Sequence, residues 1–92
     1  MLEIAYTSQF RKDFRRLKKS GRYDVEQLES IIEKLSEEKP LEARHRNHLL
    51  KGHLAGFYEC HICPDWLLIY ETDRQTNHLR LVRTGSHSEL FD

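Results

Sequence analysis

The stretch His61-Ile62-Cys63-Pro64-Asp65-Trp66-Leu67-Leu68-Ile69-Tyr70 decides the fold. Its last five residues are continuously apolar or aromatic, as in a strand covered on both faces. Pro64-Asp65 marks a tight turn before that strand, and the polar run Asp73 to Asn77 marks a loop after it. The segments near 55–63 and 78–84 read as its neighbours in an antiparallel meander.

The upstream chain supplies the cover. Leu2, Ile4 and Tyr6 alternate with Glu3 and Ala5, a short strand with one apolar face. Thr7 or Ser8 offers a helix N-cap, and Phe10, Phe14 and Leu17 follow at helical spacing. Gly21 stops that helix. Asp24 caps a second one, with Gln27 completing a partial capping box. Val25, Leu28, Ile31, Ile32 and Leu35 form its apolar stripe, and Lys39-Pro40 ends it. Residues 41–54 read as a loop anchored by Leu49 and Leu50, and a helical turn after Ser86 closes the chain. The architecture expected is α+β. Two helices pack on one face of a four-stranded, mainly antiparallel sheet, in a single domain spanning residues 1–92.

The net charge is zero, with 15 basic and 15 acidic residues, but the charges are sharply partitioned. Residues 8–23 carry seven basic residues and one acid, a balance of +6. Residues 24–42 carry two basic residues and seven acids, a balance of −5. Residues 43–53 return to +3 and add three histidines. A basic face of this kind suits a polyanion such as RNA, although a basic helix beside an acidic one would also arise from mutual compensation. No apolar run reaches the roughly 20 residues of a membrane span, and the first residues lack the pattern of a signal peptide. A cytoplasmic protein is expected. Cys60 and Cys63 form a C-x-x-C, but three positions apart on a strand they should point to opposite sides of the sheet. They could then share neither a disulfide nor a metal.

The meander has a geometric consequence. The turn at 64–65 and the exit at 84–86 lie at one end of the sheet, and a second turn centred near residue 75 puts Trp66 opposite Arg83 or Thr84. His61, Asp65, Trp66, Arg83 and His87 should therefore converge. Two imidazoles, a carboxylate, a guanidinium and an indole are suited to RNA cleavage by attack of a ribose 2′-OH on its own 3′-phosphate. That reaction needs a base, an acid and positive charge for the transition state. Histidine titrates near neutrality, arginine binds phosphate bidentately, and tryptophan stacks on bases. No metal or other cofactor is required. Each residue also has a purely structural reading. His61 would be a half-exposed strand residue, Asp65 a turn residue and Trp66 core. Arg83 would pair with Glu59 or Glu71, His87 would cap the last turn, and Phe91 would anchor the tail.

These residues carry a family resemblance. Gly56-Phe-Tyr-Glu-Cys-His-Ile-Cys-Pro-Asp-Trp-Leu-Leu-Ile-Tyr70 followed by Arg83-Thr-Gly-Ser-His-Ser-Glu-Leu-Phe91 resembles the YafQ branch of the RelE/ParE toxin superfamily. Tyr6 to Asp13 is similar to that family's first strand and basic helix, and Asn47-His48-Leu49-Leu50-Lys51-Gly52 to its histidine-bearing loop. The resemblance implies the toxin of a type II toxin–antitoxin pair, a ribosome-dependent endonuclease. Such an enzyme cuts mRNA in the A site and leaves a 2′,3′-cyclic phosphate and a 5′-hydroxyl. It implies His48, His61, Asp65 and His87 as the catalytic set, with His87 the acid and His48 or Asp65 the base. Trp66, Arg83 and Phe91 are implied as substrate-binding residues, Arg83 together with His61 at the phosphate. The implied partners are ribosomal RNA, mRNA and a DinJ- or RelB-like antitoxin that represses the operon in complex with the toxin. Two other functions share the fold: a ParE-like gyrase inhibitor, and a nuclease-dead co-regulator acting with its antitoxin.

Overall fold

The computed structural model describes residues 1–91. In chain order the elements are β1 (Glu3–Tyr6), α1 (Ser8–Ser20), α2 (Val25–Ser36), β2 (His48–Leu49), β3 (Tyr58–Cys63), β4 (Trp66–Asp73), β5 (His78–Gly85) and α3 (His87–Phe91), with single 3-10 turns at Ala43–His45 and Gly52–Leu54. The strands form one sheet in the order β1-β5-β4-β3-β2, with β1 parallel to β5 and every other pair antiparallel. The α+β class stands, but the sheet has five strands rather than four. His48 and Leu49, expected in a loop, pair with Glu59 and Tyr58. Two residues are too few to show an alternation, so this strand exists only through its partner.

Local chemistry sets the element ends. The Thr7 hydroxyl accepts from the Phe10 amide at 2.9 Å and donates to the Val82 carbonyl at 2.9 Å, so one side chain starts α1 and ties it to β5. Gly21, at φ 68°, closes α1 in a left-handed conformation that glycine adopts without steric cost. The Asp24 carboxylate caps α2 through the Glu26 amide at 3.1 Å.

Both helices lie on the same face of the sheet. Phe10, Leu17, Leu28, Ile31 and Leu35 pack with Cys60, Ile62, Trp66, Leu68, Tyr70, Leu79 and Leu81 in one cluster. Leu67 and Ile69 alternate with these residues along β4 and lie outside that cluster, yet both are buried. The continuous apolar run therefore does serve two faces. β1 is less covered than its alternation suggests. Ile4 and Tyr6 are exposed and line a groove with Phe10, Phe14, Leu28 and Ile32.

Two bulges change the register predicted from turn positions. Val82 is an extra residue in β5, between the pairs Ile69↔Arg83 and Tyr70↔Leu81. The turn pairs Asp73 with His78, which already puts Arg83 past Trp66, and the bulge moves it one residue further, across from Ile69. Ile62 is extra in β3, between the pairs His61↔Leu67 and Cys63↔Trp66. A bulge inserts one residue and resets side-chain alternation. Cys63 is thereby returned to the helix side, where its thiol donates to Gln27 of α2 at 3.2 Å and packs against the core that holds Cys60. The expectation of opposite faces fails for that reason. Burial, and then the neighbouring Glu59, push the Cys60 thiol up to about 12, so it stays protonated at neutral pH. Among the described residues no helix is long and apolar enough to cross a membrane.

Candidate active site

The sheet face away from the helices gathers most of the titratable residues singled out in the sequence. Cross-strand pairing puts His48 beside Glu59 and His61 beside Leu67, with Gly85 on the far side of Leu67. After Gly85 the chain turns into α3, whose first residue is His87.

His87 and Asp65 form the tightest contact. The Asp65 carboxylate accepts the His87 backbone amide at 3.0 Å and sits 2.8 Å from His87 Nδ1. These hydrogen bonds, the backbone one first, hold the Asp65 carboxyl below the usual aspartate range, so it is ionised at neutral pH. An ionised carboxylate only accepts, so His87 carries hydrogen on Nδ1 and directs Nε2 away from Asp65. The His61 ring centre is 5.6 Å from that of His87, and Phe91 flanks His87 at 6.4 Å.

His61 and His48 are held by the same logic. His61 Nδ1 lies 3.3 Å from the Pro64 carbonyl, and His48 Nδ1 lies 2.6 Å from the Arg46 carbonyl. A carbonyl cannot donate, so both rings have Nε2 as their free position when neutral. Both Nε2 atoms approach one oxygen of Glu59, at 3.4 Å from His61 and 3.6 Å from His48. The buried His45 steadies the strand from the other side, donating from Nδ1 to the His61 carbonyl at 2.7 Å. Beside His61 opens a cleft of about 530 Å³ lined by Lys34, Arg44, His45 and Arg46 together with Glu42, which pairs with Arg44 at 3.4 Å. The basic loop therefore adjoins the imidazoles.

Two expected members lie elsewhere. Trp66 is 2% exposed, packs on Tyr23 at 4.8 Å, and donates its indole N–H to Thr84 Oγ1 at 2.9 Å. It faces the helices because it shares a side of β4 with Leu68 and Tyr70, so it cannot stack on a nucleotide. Arg83 pairs with neither Glu59 nor Glu71. Its Nε and Nη2 donate to Asp13 of α1 at 2.7 and 3.2 Å. Asp13 is fully buried and also accepts the Thr84 amide at 3.2 Å. The guanidinium thus ties α1 to the strand that delivers His87. Glu71 pairs instead with Arg80 at 2.9 Å.

Sequence reasoning passed over Glu59 as a site residue. The signal was present: Glu59 and His61 are two apart on a strand and so share its face. Asp13 had a signal too, as the one acid in the basic segment 8–23.

Comparison with known proteins bears on the family and the fold. A family described as a bacterial toxin of type II toxin–antitoxin systems, YafQ, matches residues 2–92. The mRNA interferase toxin YafQ of Escherichia coli K12 is 36% identical over 91 residues, covering 97% of this chain and 95% of that protein. A crystal structure of a metal-bound toxin from Helicobacter pylori is 46% identical, with a TM-score of 0.93 over 99% of this chain and 100% of that one. The E. coli DinJ–YafQ complex contains a chain 33% identical, with a TM-score of 0.85 over the full length of both.

Proposed function

The chain belongs to the YafQ family of bacterial type II toxins, and on that premise we propose that it is an mRNA interferase held inactive by a DinJ-like antitoxin. The finer reading is that it cuts mRNA codons in the ribosomal A site by metal-independent acid/base chemistry. The observation that carries it is the Asp65–His87 pair facing His61 on an open sheet face.

The roles follow from which nitrogens are free. Asp65 spends its carboxylate on His87 and therefore orients that ring rather than acting as the base. With its Nδ1–H held by Asp65, His87 presents Nε2 to the open face and is suited to protonate the departing 5′-oxygen from there. His48, with Nδ1 fixed and Nε2 exposed, is the base that takes the 2′-OH proton. His61 lies near both His48 and His87, and as an imidazolium it donates from Nε2 to the phosphate as negative charge builds on it. Phe91, exposed beside His87, offers a stacking face for a base. The cleft bearing Lys34 and Arg46, with Arg44 shared with Glu42, suits the adjoining phosphates.

The test is cleavage of a defined mRNA in a reconstituted translation system, with His48→Ala, His61→Ala, Asp65→Ala and His87→Ala beside the parent. The parent should cut within A-site codons and leave a 2′,3′-cyclic phosphate with a 5′-hydroxyl, as 2′-OH attack requires. A metal-activated hydroxide would leave linear phosphate ends. Cutting without ribosomes, linear ends, or four variants as active as the parent would each defeat part of this reading.

A further inference from the structure

We propose that the cleft beside His61 holds the nucleobase on the 5′ side of the cut, and that His45 selects a base bearing an exocyclic amino group. This rests on the nuclease reading above and names the part of the substrate that the cleft reads.

The selecting atom is His45 Nε2. His45 is 6% exposed, and its Nδ1–H is spent on the His61 carbonyl at 2.7 Å. In the neutral ring Nε2 is then an acceptor, and it has no partner among the described residues. No fully enclosed side-chain nitrogen or oxygen among those residues lacks a partner, so Nε2 is reached from outside, and the opening that His45 lines is the cleft. A ring held this deeply, with one acceptor unspent, is a fixed seat for a hydrogen-bond donor.

Gln27 supplies the complementary group. The Cys63 thiol engages its Oε1 at 3.2 Å, which leaves the amide NH2 to donate, again with no partner among the described residues. Both residues line the same cleft at the margin between α2 and the end of β3, with Ile31 and Ile62 as apolar walls. Its volume of about 530 Å³ falls within the roughly 300–1,000 Å³ of small-molecule sites. Adenine, cytosine and guanine each carry an amino group beside an unprotonated ring nitrogen, which matches an acceptor next to a donor. Uracil has no amino group. Its ring N–H lies between two carbonyl oxygens and does not project to a recessed acceptor.

The position of the cleft decides which nucleotide enters it. The residues before β2 form one wall, and there the Arg46 carbonyl also holds His48, the general base for the 2′-OH. His87, the acid for the departing oxygen, follows β5, which is three strands away from β2 in the sheet order. The cleft therefore adjoins the nucleotide that carries the attacking 2′-OH. Lys34 and Arg46, neither of them in an ion pair among the described residues, stand beside it for the backbone phosphates.

Titration of the full chain with 3′-AMP, 3′-CMP and 3′-UMP, followed by imidazole ¹⁵N and amide NMR, tests the cleft without any cleavage. Such a nucleotide carries the base and phosphate of the 5′ side and has no bond to cut. 3′-AMP and 3′-CMP should shift His45 Nε2, and 3′-UMP should bind about ten-fold more weakly, as expected for one lost hydrogen bond. His45→Phe keeps a flat ring without the acceptor and should level the three affinities, whereas Lys34→Ala should weaken all three alike. Equal or absent binding by the parent, shifts confined to the open face, or a folded His45→Phe that still discriminates would overturn the proposal. The first two outcomes are read on the parent and do not depend on how the variant folds. In the reconstituted translation system, uracil on the 5′ side of the cut should slow cleavage by a similar factor. Cleavage indifferent to that base overturns the proposal and leaves the nuclease reading intact. Selective nucleotide binding by a chain that cuts no RNA overturns the nuclease reading and leaves the base site standing.

Discussion

The two faces of the sheet handle polar groups in opposite ways. On the helix-covered face each is closed off internally: Trp66 donates to Thr84, Thr84 donates to the Leu67 carbonyl, and Asp13 is filled by Arg83 and the Thr84 amide. On the open face, His48, His61 and His87 each have one nitrogen fixed and one left over. A group whose bonding capacity is used up in the fold adds to stability. A group with capacity in reserve is available to a ligand. The contrast is a stronger guide to the site than residue type, since both faces hold carboxylates: Asp13 on the covered side, Glu59 and Asp65 on the open one.

Substitutions on the two faces should separate accordingly. His87→Ala should lower the mRNA cleavage rate by about 10²–10⁴-fold, the usual contribution of a positioned proton donor, with little change in thermal midpoint. A melt that collapses in this variant would make the open face structural and end the contrast. Asp13→Ala should act in the other sense, costing about 2–3 kcal/mol in a denaturant titration. The value expected for a broken buried pair is reduced here because Arg83 and Arg16 are partly exposed. Stability within experimental error of the parent would show that the Arg83 anchor is ornamental. Trp66→Phe removes the N–H, leaving Thr84 Oγ1 without its donor, and leaves a void where the larger indole packed, at a combined cost of about 2 kcal/mol. Cleavage by the folded variant should be unimpaired, and a loss of cleavage at intact stability would return Trp66 to the substrate side.

The smallest effect concerns acid. Because the folded-state pKa of Asp65 is lowered, its bond to His87 contributes stability above the ordinary aspartate range. That contribution declines as pH falls through the lowered folded value. Amide signals of α3, followed by NMR from pH 6 downward, should therefore stay in place through the ordinary aspartate range and shift only below it. Asp65→Asn should abolish that late transition. A shift at the ordinary aspartate pKa would mean that the carboxylate is not engaged.

The sequence displayed the large elements because each has a period. The Phe10, Phe14, Leu17 stripe and the apolar run from Trp66 to Tyr70 both read correctly, as did the convergence of His61, Asp65 and His87 near one turn. Whatever depended on counting residues across strands did not. A bulge at Val82 or Ile62 has no compositional mark, yet the first shifts Arg83 by one position, to Ile69, and the second brings Cys63 to the side of Cys60. His48 entered only through family resemblance, because a two-residue strand has no pattern to detect. Burial likewise has to be seen: nothing in the letters around Trp66 states whether the indole looks inward or outward.

The pairing of β1 with β5 has a kinetic consequence. Residues 3–6 find their partners at 78–81, so the sheet cannot close until the two ends of the fold have met, and contacts this distant in sequence slow folding. β5 is also the strand that hands the chain to His87. A chain caught partway through folding, with α1 and α2 formed but β5 undocked, therefore has no assembled cluster of imidazoles. Activity should appear in a single step with the last strand, and refolding followed by cleavage should lag behind refolding followed by helix content.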